Sequence, residues 1–348
     1  MTRPAERGEV QTVLGPVSPD SLGLVLPHEH ILCDVTPPGV AEAAGGRQVE
    51  VTLRNVHDIR YHWIQHYGNH ILDDVAVAAD EVAAFREAGG GTIVEMTIHG
   101  IKPDAGGLAE VARRTNVSIV AGVGFYIESF AGDFIGGRSI EDLAGVMVEG
   151  VRSGIGDSGV RAGIIGEIGV SDPWSEAERR VMRAAVVAQR ETGAAINVHP
   201  GRDPSSPRAI ARFVREEGGD PSRLVISHID RTLFDDDEVA RLMDEGCCAE
   251  WDFFGIESSY YPFADIDLPN DGLRLERIGR LVRRGYGDRI LISQDICTKT
   301  RLQKWGGHGY AHLPRAVLPM MRRKGFSDRE IDQIVRHTPK RLLTLALG

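Results

Sequence analysis

The chain has 348 residues, of which 42% are hydrophobic and 26% charged, and its formal net charge at pH 7 is −10. An acidic balance of this kind does not favour nucleic acid as a partner, because the phosphate backbone requires a concentrated basic face. No apolar run of about 18 residues is present, so we expect no membrane span and no membrane partner. The charged N-terminal segment lacks the apolar stretch of a secretory signal, which favours a cytoplasmic location.

The four cysteines do not form a recognisable metal or disulfide framework. They are Cys33, Cys247, Cys248 and Cys297. None is spaced as a Cys-x-x-Cys pair, and adjacent cysteines are not a zinc-ribbon motif. We therefore interpret them as reduced, apolar core residues in a reducing compartment.

Eight short apolar runs recur along the chain, each followed by a polar or glycine-bearing turn. Most of them are continuously apolar, which is typical of parallel strands that are covered on both faces. They span residues 23–32, 91–98, 117–125, 162–169, 194–200, 224–229, 247–255 and 289–296.

Amphipathic helical patterns lie between these runs and after the last one. The pattern at 73–88 ends at three glycines, and the pattern at 175–192 begins with a capping box formed by Ser175 and Glu178. Further helical patterns span 235–245, 271–285, 313–324 and 327–336. No glycine-rich phosphate loop follows the first run, as an open doubly wound sheet would require, and no linker divides the chain. We predict an α/β protein with a (β/α)8 TIM-barrel fold, in which residues 1–348 form a single domain.

Residues of the types that bind metal ions lie at the ends of five predicted strands. His28 and His30 form a His-x-His pair in the first, and alternate residues of a strand point to the same face, so both imidazoles can reach one ion. The other four, on the fourth, fifth, sixth and eighth strands, are Glu167, His199, His228 and Asp295. The carboxyl ends of barrel strands meet at one mouth, where we expect all six side chains to converge.

Each of these residues alone also has a structural explanation. A strand-end histidine is often an ordinary core or loop residue, and Glu167 could pair with an arginine. Their coincidence at one end of the barrel favours metal binding, because six such groups cannot neutralise one another. A pair of divalent cations would satisfy them.

The arrangement resembles the amidohydrolase superfamily, and more specifically the phosphotriesterase family and its phosphotriesterase-related branch. The similarity covers nearly the whole chain. It is carried by Leu-Pro-His-Glu-His at 26–30, Gly-Val-Gly-Phe-Tyr at 122–126, Gly-Ile-Ile-Gly-Glu-Ile-Gly at 163–169, Val-His-Pro-Gly-Arg at 198–202, Ser-His-Ile-Asp-Arg-Thr at 227–232 and Gly-Gly-His-Gly-Tyr at 306–310.

The resemblance implies a binuclear centre with two divalent metal ions per chain, Zn²⁺ first, with Mn²⁺ or Co²⁺ as alternatives. His28, His30 and Asp295 would bind the more buried ion, and His199 and His228 the outer one. Glu167 would bridge both, where organophosphate-hydrolysing members carry a carboxylated lysine. None of the five lysines of this chain falls in the fourth run, which argues against efficient phosphotriester hydrolysis.

The implied activity is hydrolysis of an ester, lactone or N-acyl amide bond of a small substrate, anionic or neutral, by a metal-activated hydroxide, with Asp295 as the catalytic general base. Three alternatives stay open. They are a phosphotriester (aryldialkylphosphate) hydrolase, a ligand-binding barrel without turnover, and a mononuclear barrel enzyme that isomerises or decarboxylates its substrate. Barrels of this family often pair, so a homodimer is the assembly to test.

Three residues near the rim are candidates for binding the substrate. Arg231 follows His228 by three residues and could clamp an anionic group, or could instead pair with the acidic run at 235–237. Arg202 is a second candidate for the same role. Tyr126 could donate to a developing oxyanion or simply pack.

Three further features have less certain roles. The aromatic segment 251–261 is interpreted as a pocket wall, and the segment 307–310, which contains His308, as a lid-like loop. His62, His66 and His70 recur every four residues and could share one helix face. No carboxylate completes an obvious metal site there, so an exposed polar face explains this stripe as well.

Overall fold

The computed structural model of the chain describes residues 3–62 and 66–346. Within these ranges the strands are β1 (Val10–Thr12), β2 (Gly15–Val17), β3 (Leu24–Glu29), β4 (Cys33–Asp34), β5 (Ile71–Leu72), β6 (Gly90–Glu95), β7 (Ser118–Val123), β8 (Ala162–Gly169), β9 (Ile196–His199), β10 (Leu224–Ile226), β11 (Cys248–Trp251) and β12 (Ile290–Ile292). The helices are α1 (Val40–Ala43), α2 (Val56–Tyr61), α3 (Val75–Glu87), α4 (Ala105–Thr115), α5 (Glu128–Ile135), α6 (Ile140–Arg152), α7 (Glu176–Thr192), α8 (Ser206–Glu216), α9 (Ile229–Thr232), α10 (Asp236–Asp244), α11 (Asp271–Arg283), α12 (Leu318–Arg323), α13 (Asp328–Asp332) and α14 (Thr338–Leu343).

Eight parallel strands form the central sheet, in the order β3-β6-β7-β8-β9-β10-β11-β12. The first and last strands meet just beyond their ends. There the Asp295 N–H donates to the His28 carbonyl at 3.1 Å, and the His30 N–H donates to the Ile296 carbonyl at 3.2 Å. The sheet thus closes on itself, and the predicted (β/α)8 barrel is confirmed.

All eight predicted strands are present, and most of them are shorter than their apolar runs. β8 has the predicted bounds, whereas β10 and β12 end two and three residues before His228 and Asp295. The last residues of these runs leave the hydrogen-bond ladder at the barrel mouth, where they are free to carry side chains into a site.

The inside of the barrel is layered, because alternate residues of each strand point inward. Buried apolar side chains fill the lower layer, one from each strand except that Ala195 immediately precedes β9: Val25, Val94, Val120, Ile164, Ala195, Val225, Cys248 and Leu291. Two residues further along their strands, Asn197, Ser227 and Glu250 are hydrogen-bonded to one another. The next inward position carries His199 and Asp252, so the apolar layer supports a polar layer, which in turn supports the mouth.

The hairpin of β1 and β2 packs on the lower end of this barrel. The Val13 N–H donates to the Ile119 carbonyl at 2.8 Å, which ties the hairpin to β7. Gly163 faces the carbonyl oxygen of Gln11, and that contact leaves no space for a side chain at this position. The glycine therefore permits the hairpin to approach the barrel closely.

The predicted helices are present, and two of them are interrupted. The Ser175 capping box of α7 is formed as predicted. The pattern at 313–324 forms a π-helical turn at Leu313–Val317 followed by α12. The pattern at 327–336 forms α13, followed by a second π-helical turn at Gln333–His337. No helix in the described part of the chain has both the length and the apolar character that crossing a membrane requires.

The histidine stripe does not share one helix face, so this interpretation was wrong. α2 ends at Tyr61, and the His62 Nδ1 lies 3.1 Å from the Asp58 carboxylate on the same helix. His70 is buried at the end of a short turn that precedes β5. The four cysteines are free, and all except the half-buried Cys297 are buried, as expected of core thiols.

A buried ion-pair cluster attaches α11 to the outside of the barrel mouth. Arg274 is fully buried, and its guanidinium contacts the carboxylates of Asp230 and Asp271. Asp230 also accepts hydrogen bonds from the backbone N–H groups of Asp252 and Phe253, at 2.9 and 3.3 Å. The cluster therefore links α11 to the chain segment that follows β11.

We expect Arg274→Met to lower the free energy of unfolding by about 3–5 kcal/mol, because the substitution leaves buried carboxylates without their cation. Urea denaturation of the purified variant measures this loss. Arg280→Met on the same helix is the matched control. Arg280 forms a more exposed pair with Asp236, so its loss should cost about 1 kcal/mol or less. Equal losses in the two variants would contradict this role of the cluster.

Candidate metal centre

The structure brings the six predicted ligand residues together at the barrel mouth. Glu167, on β8, lies in the middle. Its Oε1 is 2.7 Å from His199 Nδ1 and 2.8 Å from His228 Nε2. Its Oε2 is 3.7 Å from the Nε2 atoms of both His28 and His30. One buried carboxylate thus faces two pairs of imidazoles, as the sequence predicted.

Asp295 completes the pair formed by His28 and His30. Its Oδ1 lies 3.2 Å from His30 Nε2 and 3.7 Å from His28 Nε2. Asp295 and His228 both have left-handed backbone conformations, with φ of 48° and 56°. Residues other than glycine adopt such conformations rarely and often at functional sites. At both positions the chain turns sharply just after its strand, and the side chain comes to lie over the mouth.

Three of the four imidazoles are oriented by partners on their Nδ1 side. His28 Nδ1 lies 3.1 Å from the carboxylate of Glu250, and His228 Nδ1 lies 2.9 Å from that of Asp252. His30 Nδ1 lies 3.0 Å from the hydroxyl of Thr97. Such partners fix the tautomer and the ring orientation of metal-binding histidines, and here they direct each Nε2 towards the mouth.

The sequence analysis did not identify these orienting residues. Glu250 and Asp252 flank Trp251 in the middle of the seventh run, and Glu95 accepts a hydrogen bond from Thr97 in the second run. The available signal was the presence of charged residues inside otherwise apolar runs. Burying such a group is costly without a partner, which could have marked each of them as part of a polar network.

Three of the six ligand residues, Glu167, Asp295 and His199, are in the form that binds a metal ion. At His28, His30 and His228 burial acts to lower the pKa, but the nearby carboxylates outweigh it and raise the pKa. Burial tends to raise the pKa of both Glu167 and Asp295. The nearby imidazoles outweigh it, holding the pKa of Glu167 well below its usual range and lowering that of Asp295 to about 2. Burial lowers the pKa of His199 to about 3. Burial acts in the same direction on His228, but Asp252 and Glu167 outweigh it and raise its pKa to about 9, so metal binding there would release a proton.

The residues present fit divalent cations. The Nε2 atom of His28 is buried without a hydrogen-bond partner, although it faces two carboxylates. Two ligand sets with atoms close enough to hold one ion share Glu167. One is formed with His28 and His30, and the other with His199 and His228. Imidazole and carboxylate ligands of this kind suit Zn²⁺ and neighbouring transition metals.

The three candidate substrate residues lie around the outer histidine pair. The Tyr126 hydroxyl is 3.4 Å from His199 Nδ1. Arg231 is buried, and its Nη2 lies 3.1 Å from His199 Nε2. Arg202 donates from Nε to the Tyr261 hydroxyl at 3.1 Å. The alternative pairing of Arg231 with the run at 235–237 does not occur.

The aromatic segment after β11 is only partly a pocket wall. Trp251 and Phe254 belong to the buried core, which corrects the interpretation of the whole segment as a wall. Phe253 packs its ring 5.4 Å from that of His228. In the loop after β12, the buried Tyr310 donates its hydroxyl to the His30 carbonyl at 2.8 Å. This contact fixes the end of the loop that was interpreted as a lid.

Comparisons with known proteins agree with this geometry. The sequence model of the phosphotriesterase family matches residues 8–343. An N-acetyltaurine hydrolase from Tetraodon nigroviridis is 38% identical over 344 residues, which are 97% of this chain and 98% of that protein. A resiniferatoxin-binding protein from Rhodobacter sphaeroides has a similar structure, with a TM-score of 0.90 and 31% identity over 97% of this chain and 95% of that one. A phosphotriesterase homology protein from Escherichia coli, complexed with phosphate in its active site, has a TM-score of 0.77 and 26% identity over 93% and 99% of the two chains.

We expect Glu250→Gln to weaken metal binding about 10- to 100-fold, because it removes the carboxylate that orients His28. Competition with a chromophoric chelator measures the affinity. Glu238→Gln, on α10 far from the histidines and with a side chain 42% exposed, is the matched control and should leave the affinity unchanged. A folded Glu250→Gln protein that binds metal as tightly as the wild type would exclude this orienting role.

Proposed function

The chain belongs to the phosphotriesterase family, and on that premise we propose that it hydrolyses the N-acyl amide bond of a small substrate carrying a sulfonate or carboxylate group. It is a hydrolase of the phosphotriesterase-related type. The observation that carries the proposal is the position of Glu167, which is buried between two histidine pairs with the cationic Arg231 beside the outer pair.

The proposed cofactor is a pair of divalent cations, with Zn²⁺ as the first candidate and Mn²⁺ or Co²⁺ as alternatives. His28, His30 and Asp295 would hold one ion, His199 and His228 the other, and Glu167 both. Two such ions, when bound, would polarise the bond under attack and lower the pKa of the attacking water molecule. The ionised carboxylates and the buried, unpartnered Nε2 of His28 support this assignment.

Asp295 is the proposed general base. Its side chain is 13% exposed, against 3% for Glu167, so it is the more accessible of the two carboxylates. It would accept a proton from the attacking water and return it to the leaving nitrogen, which must be protonated to depart as an amine. Tyr126 keeps its proton because burial raises its pKa well above the usual value. Its hydroxyl would donate to the carbonyl oxygen of the substrate as negative charge develops there.

Two observations favour an acyl substrate over a phosphotriester. The central carboxylate is a glutamate, and none of the five lysines lies on β8, so a carboxylated lysine cannot form at this place. The curated relative of similar length is a hydrolase of N-acetyltaurine, an N-acyl amide with a terminal sulfonate.

The four free cysteines support our proposal of a cytoplasmic location, where thiols stay reduced.

The alternative of a ligand-binding barrel is suggested by the relative named for resiniferatoxin binding. A protein that only binds a ligand does not need a general base. The ionised Asp295 beside His30 therefore favours turnover.

A substrate panel tests the proposal. We expect the metal-loaded protein to cleave N-acetyltaurine or an N-acetyl amino acid with a kcat/KM at least about tenfold above that for lactones, neutral esters or aryl phosphotriesters. This preference follows from charge-assisted binding of the anionic group. Prolonged chelation should abolish the rate, and added Zn²⁺ or Mn²⁺ should restore it. Preference for phosphotriesters, or indifference to chelation, would contradict the proposal.

We expect Asp295→Asn to lose about 10²- to 10⁴-fold in kcat while the protein stays folded, because the amide cannot accept the proton of the attacking water. Steady-state kinetics on the best substrate of the panel gives the ratio, with metal content measured on the same sample. Asp328→Asn on the surface is the control. A variant at Asp295 with wild-type kcat would exclude this residue as the base.

A further inference from the structure

Two arginines lie beside the outer histidine pair at equivalent places in the chain. Arg202 follows His199 by three residues, and Arg231 follows His228 by three residues. Among the described residues, no carboxylate lies within ion-pair distance of either arginine. By contrast, Arg274, which is buried nearby, contacts two carboxylates. The two arginines at the mouth therefore carry positive charges that the fold itself does not pair.

Arg231 is held rigidly by neutral acceptors. Its Nη2 lies 2.9 Å from the Pro200 carbonyl and 3.1 Å from His199 Nε2, and its Nη1 lies 3.2 Å from the hydroxyl of Thr232. The side chain is buried, with the residue only 3% exposed. A buried cation without a counter-ion is costly. A bound anion would remove that cost.

The acidic run that could have neutralised Arg231 is already engaged elsewhere. Asp236 pairs with Arg277 and Arg280, and Asp237 pairs with Arg284. These pairs lie between α10 and α11, on the outside of the barrel. The positive charge of Arg231 is therefore not part of the surface network.

Arg202 is also held by neutral groups, which come from the segment 256–268 after β11. Its Nε donates to the hydroxyl of Tyr261 at 3.1 Å, and its guanidinium carbon lies 4.6 Å from the centre of the Phe263 ring. The preceding residue, Tyr260, stacks on Tyr61 at a centroid distance of 5.5 Å. The segment thus contacts the end of α2 on one side and Arg202 on the other.

The guanidinium group of Arg231 lies against the loop that carries Arg202. Its Nη2 donates to the carbonyl of Pro200, two residues before Arg202, at 2.9 Å. Two cations held near each other by neutral contacts repel, and an anion between them would relieve that repulsion. Guanidinium groups match the oxygens of sulfonate and carboxylate groups particularly well.

We propose that Arg202 and Arg231 together bind the terminal anionic group of the substrate, and that Tyr261 is a positioning residue that sets the reach of Arg202. This inference rests on the proposed function, because it takes the anion to be attached to the amine part of an N-acyl amide. It adds the specificity-determining elements, which are two arginines from different barrel loops and the aromatic segment that positions one of them.

The test compares two substrates of similar size, N-acetyltaurine and the neutral N-acetylethanolamine. For Arg202→Met and for Arg231→Met we expect kcat/KM on the anionic amide to fall about 10- to 100-fold, the usual effect of losing a charge-assisted hydrogen bond. On the neutral amide Arg202→Met should change it less than about threefold. Arg231→Met also removes a contact to His199, so its loss on the neutral amide is measured too and should be smaller than its loss on the anionic amide. Arg284→Met, which removes an arginine from the outer network, should leave both substrates unaffected. Equal losses on both substrates would overturn the proposal.

Tyr261→Phe separates positioning from packing, because it removes only the hydroxyl that holds Arg202. We expect a KM for N-acetyltaurine raised several-fold with kcat nearly unchanged, and no effect on the neutral amide. A fall in kcat on both substrates would show a merely structural role and would contradict the assignment of Tyr261.

Direct binding distinguishes failure of this inference from failure of the proposed function. Calorimetry with taurine and with methanesulfonate should show binding to the wild-type protein and at least a tenfold loss in both arginine variants. Metal content and melting temperature of the Arg202 variant, which does not contact a ligand histidine, should stay unchanged. If no amide of the panel is cleaved but the arginine variants lose affinity for these compounds, the anion site is supported and the proposed reaction is contradicted. If the wild type binds neither compound, or if the variants bind both as tightly as the wild type does, the assignment of the anion site is contradicted.

Discussion

The structure depends on one buried negative charge, the carboxylate of Glu167. It lies at the centre of the barrel mouth, and only partners of opposite charge make its burial tolerable. The four imidazoles around it provide part of that compensation. Two of them have carboxylates of their own on the far side, at Glu250 and Asp252. His28 and His228 therefore each lie between Glu167 and a second carboxylate. This excess of carboxylate groups over cationic side chains makes the mouth suited to divalent cations.

The barrel builds this arrangement by simple alternation along each strand. An apolar residue such as Val225 fills the lower layer, and the polar Ser227 follows two positions later on the inner face. On the neighbouring strand the same step leads from Ala195 through Asn197 to His199. The apolar layer therefore does more than stabilise the fold. It fixes the height and direction of every side chain above it, including those that orient the histidines.

Much of this could be predicted from sequence because the signals are local. Period-two alternation places His28 and His30 on one face, and a run that is apolar except for Glu167 defined β8 to the residue. The pairing of His28 with Glu250 joins residues far apart in the chain, so it depends on barrel register, which no local pattern contains. Trp251 was expected to line a pocket and lies in the core, since its neighbours on either side point into the mouth.

The six proposed ligand residues lie on the strands or within three residues of a strand end, whereas the two arginines lie in the segments that follow β9 and β10. The most direct test of the central claim is the metal content of wild-type and Glu167→Gln protein, loaded under identical conditions and measured by mass spectrometry. The account predicts about two ions per chain in the wild type and a clear loss in the folded variant, because the shared ligand of both sites has lost its charge. A folded variant that retains the full wild-type metal content would contradict the placement of Glu167 between two ions.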